Sequence, residues 1–317
     1  MGSGAGRYGA PVTRIVIHED DVAFCQGAND AFVELSAVGA ISSGSAMVPC
    51  PWFHDIARRV ADLDDTTFDL GVHLTLTSEH AGYRWAPITR PSAAAGLTDA
   101  DGYMWPRVHQ VREHAHPDAV EEEWRAQLDR ALGAGIDVTH LDAHMGAALA
   151  PEWCDRYVAL GAEYGLPVLI TRDLAAYGPS NHLAGTSEET FAAFVEQARD
   201  AGTPVFDVVL ETDFRRERGT PVDYRTMLLG AHDRSDHDLV YCAFHPCAPG
   251  PGEVERIDEE WWHVRTDEFR IFGEHAWGSW LEAQCFEVIG MRTLRDEFRA
   301  ASTPDMSPSN QSIQSTT

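Results

Sequence analysis

Short apolar runs alternate along this chain with amphipathic stretches, and few architectures accept that alternation. The runs Arg14–Ile17, Ile41–Val48, Asp69–Thr77, Val138–His144, Val168–Thr171, Val205–Leu210, Leu239–His245 and Phe286–Ile289 read as strands. Helical periodicity falls between them, at Asn29–Val38, from Trp52 onward, at Ala119–Leu132 and at Pro151–Tyr164. A further helix starts where Thr186 or Ser187 offers a cap. Acidic Glu121–Glu123 are placed in the first turn of the helix over 119–132, where the helix dipole favours them. Roughly eight β/α repeats predict an α/β chain whose parallel sheet forms a TIM-like β/α barrel, regular or distorted. A loop-rich insertion, Ser78–Pro117, follows the third strand and carries Tyr83, Trp85, Tyr103 and Trp105. The expected organisation is a flexible segment over 1–13, one barrel domain over 14–300, and a disordered Ser-, Thr-, Pro- and Asn-rich tail over 301–317.

Charge and cysteine usage narrow the functional classes. Lys and Arg total 24 against 50 Asp and Glu in 317 residues, a formal charge of −26. A chain this acidic repels phosphate backbones and anionic lipid, so nucleic acid and membrane are poor partners. No apolar run reaches the length of a transmembrane helix. The first residues lack the basic, apolar and small-residue succession of a secretory signal, so cytoplasmic residence is expected. Six cysteines (Cys25, Cys50, Cys154, Cys242, Cys247, Cys285) stand without CxxC pairs, as reduced thiols do.

The chemistry sits at strand ends, where β/α barrels build their sites. The first strand runs into His18-Glu19-Asp20-Asp21, the third carries His73, the fourth ends His140-Leu141-Asp142-Ala143-His144, and a later one ends His245-Pro246. Strand alternation puts His140, Asp142 and His144 on one face. Three titratable groups there are costly to bury unless they pair or ligate, and Asp142 between two imidazoles could orient one of them. Adjacent carboxylates Asp20 and Asp21 repel unless a cation shares them, although an acidic turn is the ordinary reading of such a pair. A lone His73 in an apolar strand is likewise more often a hydrogen-bonded core residue. The constellation carries the argument: one carboxylate and two imidazoles suit a catalytic divalent metal with open positions for water and substrate.

These blocks resemble the YdjC-like, or ChbG/HpnK-type, carbohydrate deacetylases. That family's pattern opens on a strand ending Asn-Ala-Asp-Asp-Phe-Gly. It continues with Gly-(Val/Met)-His-Leu-Thr-Leu-Thr and Pro-Thr-His-Leu-Asp-Ser-His, and closes on His-Pro. Here the counterparts are His18 through Ala23, Gly71 through Thr77, Val138 through His144, and His245-Pro246, in the same order. Glu123 and Gln127 match a Glu-x-x-x-Gln on the preceding helix. The resemblance implies that Asp21, His73 and His144 ligate a metal, that Asp20 is the base activating water, and that His245 is the acid. It implies a TIM-like barrel that removes acetyl groups from N-acetylated sugars. The departures are His18-Glu19 for Asn-Ala, Val22-Ala23 for Phe-Gly, Met145-Gly146 after His144, and the Met47–Phe53 stretch.

The expected function is therefore metal-dependent N-deacetylation of an amino sugar or oligosaccharide. The alternatives are the same site acting on an ester or non-sugar amide, or a non-catalytic sugar-binding barrel. One divalent metal ion is expected, Zn²⁺ or Mg²⁺, with a small acetylated substrate and a homodimer as a reasonable assembly. His140, Asp142, Glu123, Arg172 and Trp85 are candidates for supporting the site or touching substrate. For Arg172 an ion pair is the alternative, and for Trp85 and its aromatic neighbours the alternatives are pinning the insertion or a dimer face.

Overall fold

The apolar runs come together as one parallel sheet. The computed structural model describes residues 12–302, except 62–67, 178–182, 184, 235 and 251. The first half of the chain contains β1 (Arg14–Val22), α1 (Gln26–Ala37), β2 (Ser43–Ala46), α2 (Phe53–Ala61), β3 (Leu70–Leu74), α3 (Val108–His114), α4 (Pro117–Gly133), β4 (Leu141–Ala143) and α5 (Cys154–Tyr164). The second half adds α6 (Glu188–Asp200), β5 (Val208–Glu211), α7 (Tyr224–His232), β6 (Leu239–Phe244), α8 (Glu253–Ile257), α9 (Trp262–Phe272), α10 (His275–Glu282), β7 (Glu287–Val288) and α11 (Met291–Ser302).

Strand order is β4-β3-β2-β1-β6-β5, with β7 pairing the start of β1. Every pairing is parallel, as βαβ connections require. The result is an α/β fold whose parallel sheet curls into a half-barrel. The strand expected at Val168–Thr171 is represented by isolated bridges, Leu141↔Val168 and Thr171↔Phe206. Seven strands are therefore formed among the described residues, where eight repeats were expected.

One apolar core runs from Ile15 to Leu294. In α4 the buried residues Val120, Trp124, Leu128 and Ala131 recur at helical spacing and face the sheet. Each such large side chain contributes on the order of 1.5–3 kcal/mol by leaving water. This helix begins at Pro117, so Asp118, not Glu121–Glu123, is its first-turn acid. In α5 the start is Cys154, which leaves Pro151 outside the helix. Of the two expected caps of α6, Ser187 performs the task, its Oγ accepting from Thr190 N at 3.1 Å.

The insertion is less loop-like than expected, since it contains α3 and a short 3-10 turn at Ala93–Ala95. Two of its aromatics pin it to the segments that follow β3 and β1. Trp85 Nε1 donates to Thr77 O (2.8 Å) and Tyr83 Oη to Phe24 O (2.8 Å), whereas Trp105 Nε1 donates within the insertion, to Gly96 O (2.8 Å). Of the expected lead-in over 1–13, only Val12 and Thr13 are among the described residues, and the expected tail lies outside them beyond Ser302. No described helix is long and apolar enough to cross a membrane.

Candidate functional site

β1 carries the acidic segment directly into the mouth of the sheet. Its pairing with β2 shifts register between Glu19 and Val22, and Asp21 adopts a positive φ of 62°. That break in alternation lets neighbouring carboxylates serve one centre. Ala23 also has positive φ (75°), at the position where the related motif has glycine. Its strained backbone is held by Asn29, whose Oδ1 accepts from Ala23 N at 2.9 Å.

Asp21, His73 and His144, all buried, each offer one donor atom within 4.8 Å of the others. Asp21 Oδ1 lies 3.0 Å from His144 Nδ1 and 3.4 Å from His73 Nε2. The remaining ring nitrogens are held from behind. His73 Nδ1 meets Asp142 Oδ1 and Ser45 Oγ, each at 2.9 Å, and His144 Nε2 meets Glu79 Oε1 at 3.0 Å. Asp142 is itself fixed by Ser45 Oγ (2.8 Å) and Tyr241 Oη (3.1 Å). Imidazoles oriented by carboxylates from outside are the usual support of a metal site. One carboxylate and two imidazoles with that backing fit a divalent ion and leave coordination positions open. The second oxygen of Asp21 is engaged by Arg265 Nη1 (2.9 Å), which Asp258 anchors in turn (3.0 Å).

The electrostatics point the same way. Burial would raise the Asp21 carboxyl, but His144 and Arg265 beside it hold it well below the usual range. For His144 burial opposes charge, yet Glu79 and Asp21 push it up to about 9. His73 is raised well above normal by Asp142 against the same burial. This cluster of carboxylates demands positive charge at its centre.

Asp20 stands beside the trio, with an oxygen within 4.8 Å of donor atoms of His73 and Asp142. Its Oδ1 is bonded to His18 Nδ1 at 2.7 Å, and its Oδ2 lies 3.8 Å from His245 Nε2. His18 Nε2 in turn meets His140 Nε2 at 3.0 Å. The His140 ring packs onto Gly71, where a Cβ would come within 2.5 Å of it, so glycine there is a steric requirement. Burial pushes His140 down to about 3, so it is a neutral spacer. His140, Asp142 and His144 thus do face the interior together, as strand alternation predicts.

His245 enters from β6. Its backbone N donates to Glu268 Oε2 (2.7 Å), and its Nδ1 meets Thr212 Oγ1 (2.9 Å). Thr212 gives its single hydroxyl proton to Glu268 Oε1 (2.7 Å), which also accepts from Tyr224 Oη (2.7 Å). The Thr212 oxygen therefore accepts from His245 Nδ1–H, leaving Nε2 as a lone pair facing Asp20. Burial lowers His245 to about 4, so the ring is neutral at rest.

Two expected site residues lie elsewhere. Glu123 is fully buried on α4 and accepts from Ile88 N (2.9 Å), Thr89 N (3.0 Å) and Thr89 Oγ1 (2.7 Å). With Gln127, which clasps Thr75 N and Thr75 O, it moors the insertion to the end of β3. These three loop donors and Gln127 Nε2 (2.9 Å) fill its acceptor capacity, which leaves none for substrate. Arg172 is at the opposite, N-terminal end of the strands. There it pairs with Asp236 (3.1 Å) and Asp207 (3.6 Å) beside a cavity of about 430 Å³ whose lining includes none of Asp21, His73 and His144. Trp85 does reach the site, its ring centroid 6.3 Å from that of His144, but it is buried with its N–H already used.

Residues that sequence reasoning passed over are Ser45, Glu79, Thr212, Tyr241, Arg265 and Glu268. Only Glu79 had a readable signal, as the first acid after the Gly71–Thr77 block. Glu19, standing where the related motif has alanine, is fully buried with neither carboxylate oxygen hydrogen-bonded. Burial raises its carboxyl well above the ordinary range, which favours the neutral form.

Comparison with known proteins follows this geometry. A carbohydrate deacetylase of Thermus thermophilus is 32% identical over 164 residues, covering 52% of this chain and 56% of the relative. The chain therefore spans little more than half the length of that relative. A carbohydrate deacetylase of Brevibacillus brevis is 28% identical over 212 residues, covering 62% and 79% of the two chains. Among solved structures, a proposed cellobiose-phosphate cleavage protein from Enterococcus faecalis superposes with a TM-score of 0.70 at 20% identity. It covers 89% of this chain and 99% of its own, and shows the fold. The pattern of the YdjC-like protein family matches residues 14–283, and the chain belongs to that family.

Proposed function

We propose that this protein is a metal-dependent hydrolase that removes the acetyl group from an N-acetylated amino sugar or oligosaccharide. The carrying observation is the convergence of Asp21, His73 and His144 at one point, with Asp20 and His245 facing each other beside it. Relatives named carbohydrate deacetylases support the substrate class. We further infer that the bridges at Val168 and Thr171 close the curled sheet into the TIM-like barrel.

Asp21, His73 and His144 would hold the divalent ion, which when bound supplies Lewis-acid polarisation of a carbonyl and lowers the pKa of water. The chain's own groups handle the protons. Asp20, fixed through Oδ1 by His18, uses its free Oδ2 to accept the proton of the attacking water. His245 Nε2, an acceptor at rest, takes that proton from Asp20 Oδ2, which faces it at 3.8 Å, and the imidazolium so formed gives it to the departing amine. Thr212 and Glu268 keep that nitrogen pointed at Asp20. Asp142 and Glu79 orient the two ligand imidazoles, and Arg265 holds the carboxylate of Asp21.

Acetate release from a panel of N-acetylated mono- and oligosaccharides tests this reading, with metal content measured on the same samples. The expected result is turnover that chelator abolishes and a divalent ion restores. Protein supplied with a divalent ion that turns over no member of the panel, or turnover that chelator leaves unchanged, would sink it.

A further inference from the structure

Cys25 lies four residues beyond Asp21 and stands at the N-cap of α1, while Cys247 lies two residues beyond His245. Their sulfurs are 3.4 Å apart and both side chains are buried. The two segments are stitched at the backbone, where Ala248 N donates to Gly27 O (2.8 Å). At Gly27 an added Cβ would come within 2.4 Å of Ala248 O and 2.6 Å of Cys247 Sγ, so only glycine permits this approach. A disulfide spans about 2.05 Å between sulfurs, which leaves a gap that side-chain rotation can close.

We propose that Cys25 and Cys247 form a reversible disulfide that ties the loop carrying Asp20 and Asp21 to the loop carrying His245. The bond itself follows from the sulfur geometry; its meaning as a clamp on the catalytic loops rests on the hydrolase reading. Cys25 is the attacking group. The Cys247 thiol donates to it, and the helix N-terminus and Arg265 add positive potential, so a thiolate is favoured there. A hydroperoxide is small enough to serve as oxidant in so enclosed a place. The Cys25 thiolate attacks the peroxide oxygen, breaking the O–O bond to give a sulfenic acid and hydroxide, which takes up a proton to leave as water. Cys247 then attacks that sulfur, the S–O bond breaks, and the second oxygen leaves as water with the thiol proton. Two thiols are oxidised, one hydrogen peroxide is reduced, and two waters form.

The test uses the full chain in a Cys285→Ser background, because Cys285 is the exposed thiol among six cysteines. After hydrogen peroxide, thiols titrated under denaturing conditions should fall from five to three, and peptide mass mapping should show a 25–247 cross-link that dithiothreitol removes. Tm should rise by roughly 5–15 °C, since the bond closes a long loop. Adding Cys247→Ser should abolish both the cross-link and the rise. Retention of five thiols, or loss of thiols to sulfinic acid without a linked peptide, would overturn the proposal. These readouts need no substrate, so they stand apart from any failure of the deacetylase assay. The mapping on the Cys285→Ser protein decides the matter even where a second substitution prevents folding.

Discussion

The two ends of the sheet both gather charge, and they treat it differently. At the N-terminal ends Asp69, Asp137 and Glu297 each have an opposite partner or a set of donors. Asp69 accepts from Thr139 Oγ1 (2.6 Å), Ser43 Oγ (2.9 Å) and Arg292 N (2.6 Å). Asp137 is gripped by Arg295 (2.6 Å) and Arg292, and Arg14 pairs with Glu297 (2.7 Å). At the C-terminal ends like groups gather beside the opposite pairs: Asp20 next to Asp21, His18 against His140, His73 next to His144, and Glu19 with no hydrogen-bond partner. Such an arrangement is stable only with extra protons or a cation. The comparison separates charge that holds the fold from charge that is available for chemistry.

Breaking the C-terminal cluster should have the largest effect. His73→Ala removes one ligand donor, so bound divalent metal and turnover should both fall, turnover by about 10³-fold or more. Metal content by elemental analysis and acetate release check this, and full metal occupancy with normal rates would contradict the assignment. In contrast, Asp69→Ala should spare metal stoichiometry and cost about 3 kcal/mol of stability, read by denaturant unfolding.

Glu268 sharpens the contrast through pH. Burial, against its hydrogen bonds, raises its carboxyl from an ordinary 4.5 to about 7. The folded state thus favours the proton: the stability this confers is present below pH 4.5 and is lost as pH rises through about 7, on the order of 3 kcal/mol in all. Only the ionised carboxylate accepts from Thr212, Tyr224 and the His245 N–H together. Turnover should therefore climb with pH through an apparent pKa near 7 as that scaffold forms. In Glu268→Gln the pH dependence of stability between 4.5 and 7 should flatten and the acid limb of the rate profile should shift; an unchanged profile would remove Glu268 from the proton path. The smallest effect belongs to Arg172→Ala. Its pairs are partly exposed and distant from the site, so stability should change by no more than about 1 kcal/mol and turnover not at all.

Much of the site was legible because strand chemistry is periodic. His140, Asp142 and His144 share a face by alternation alone, and Asp20, Asp21, His73 and His245 occupy strand ends where barrels place their chemistry. Glu123 and Arg172 misled for a common reason. A polar residue near a strand or helix end looks the same in sequence whether it faces a ligand, a loop amide or a counter-charge. Thr212, Arg265 and Glu268 were invisible because each reaches the site from a segment far along the chain, through one long or well-aimed side chain.

The sequence by itself determined the alternation of strands and helices, the membership of the four motif blocks in one family, and the donor types a metal would need. Periodicity and side-chain chemistry are local properties, so they survive in one dimension. The tertiary structure alone decided which nitrogen of each imidazole is held, that Arg265 shares Asp21, that Glu123 moors a loop, and that Cys25 meets Cys247. Those outcomes depend on how parallel strands register and on which distant helix packs over their ends, where separations of a few ångströms choose between a ligand, a brace and a bystander.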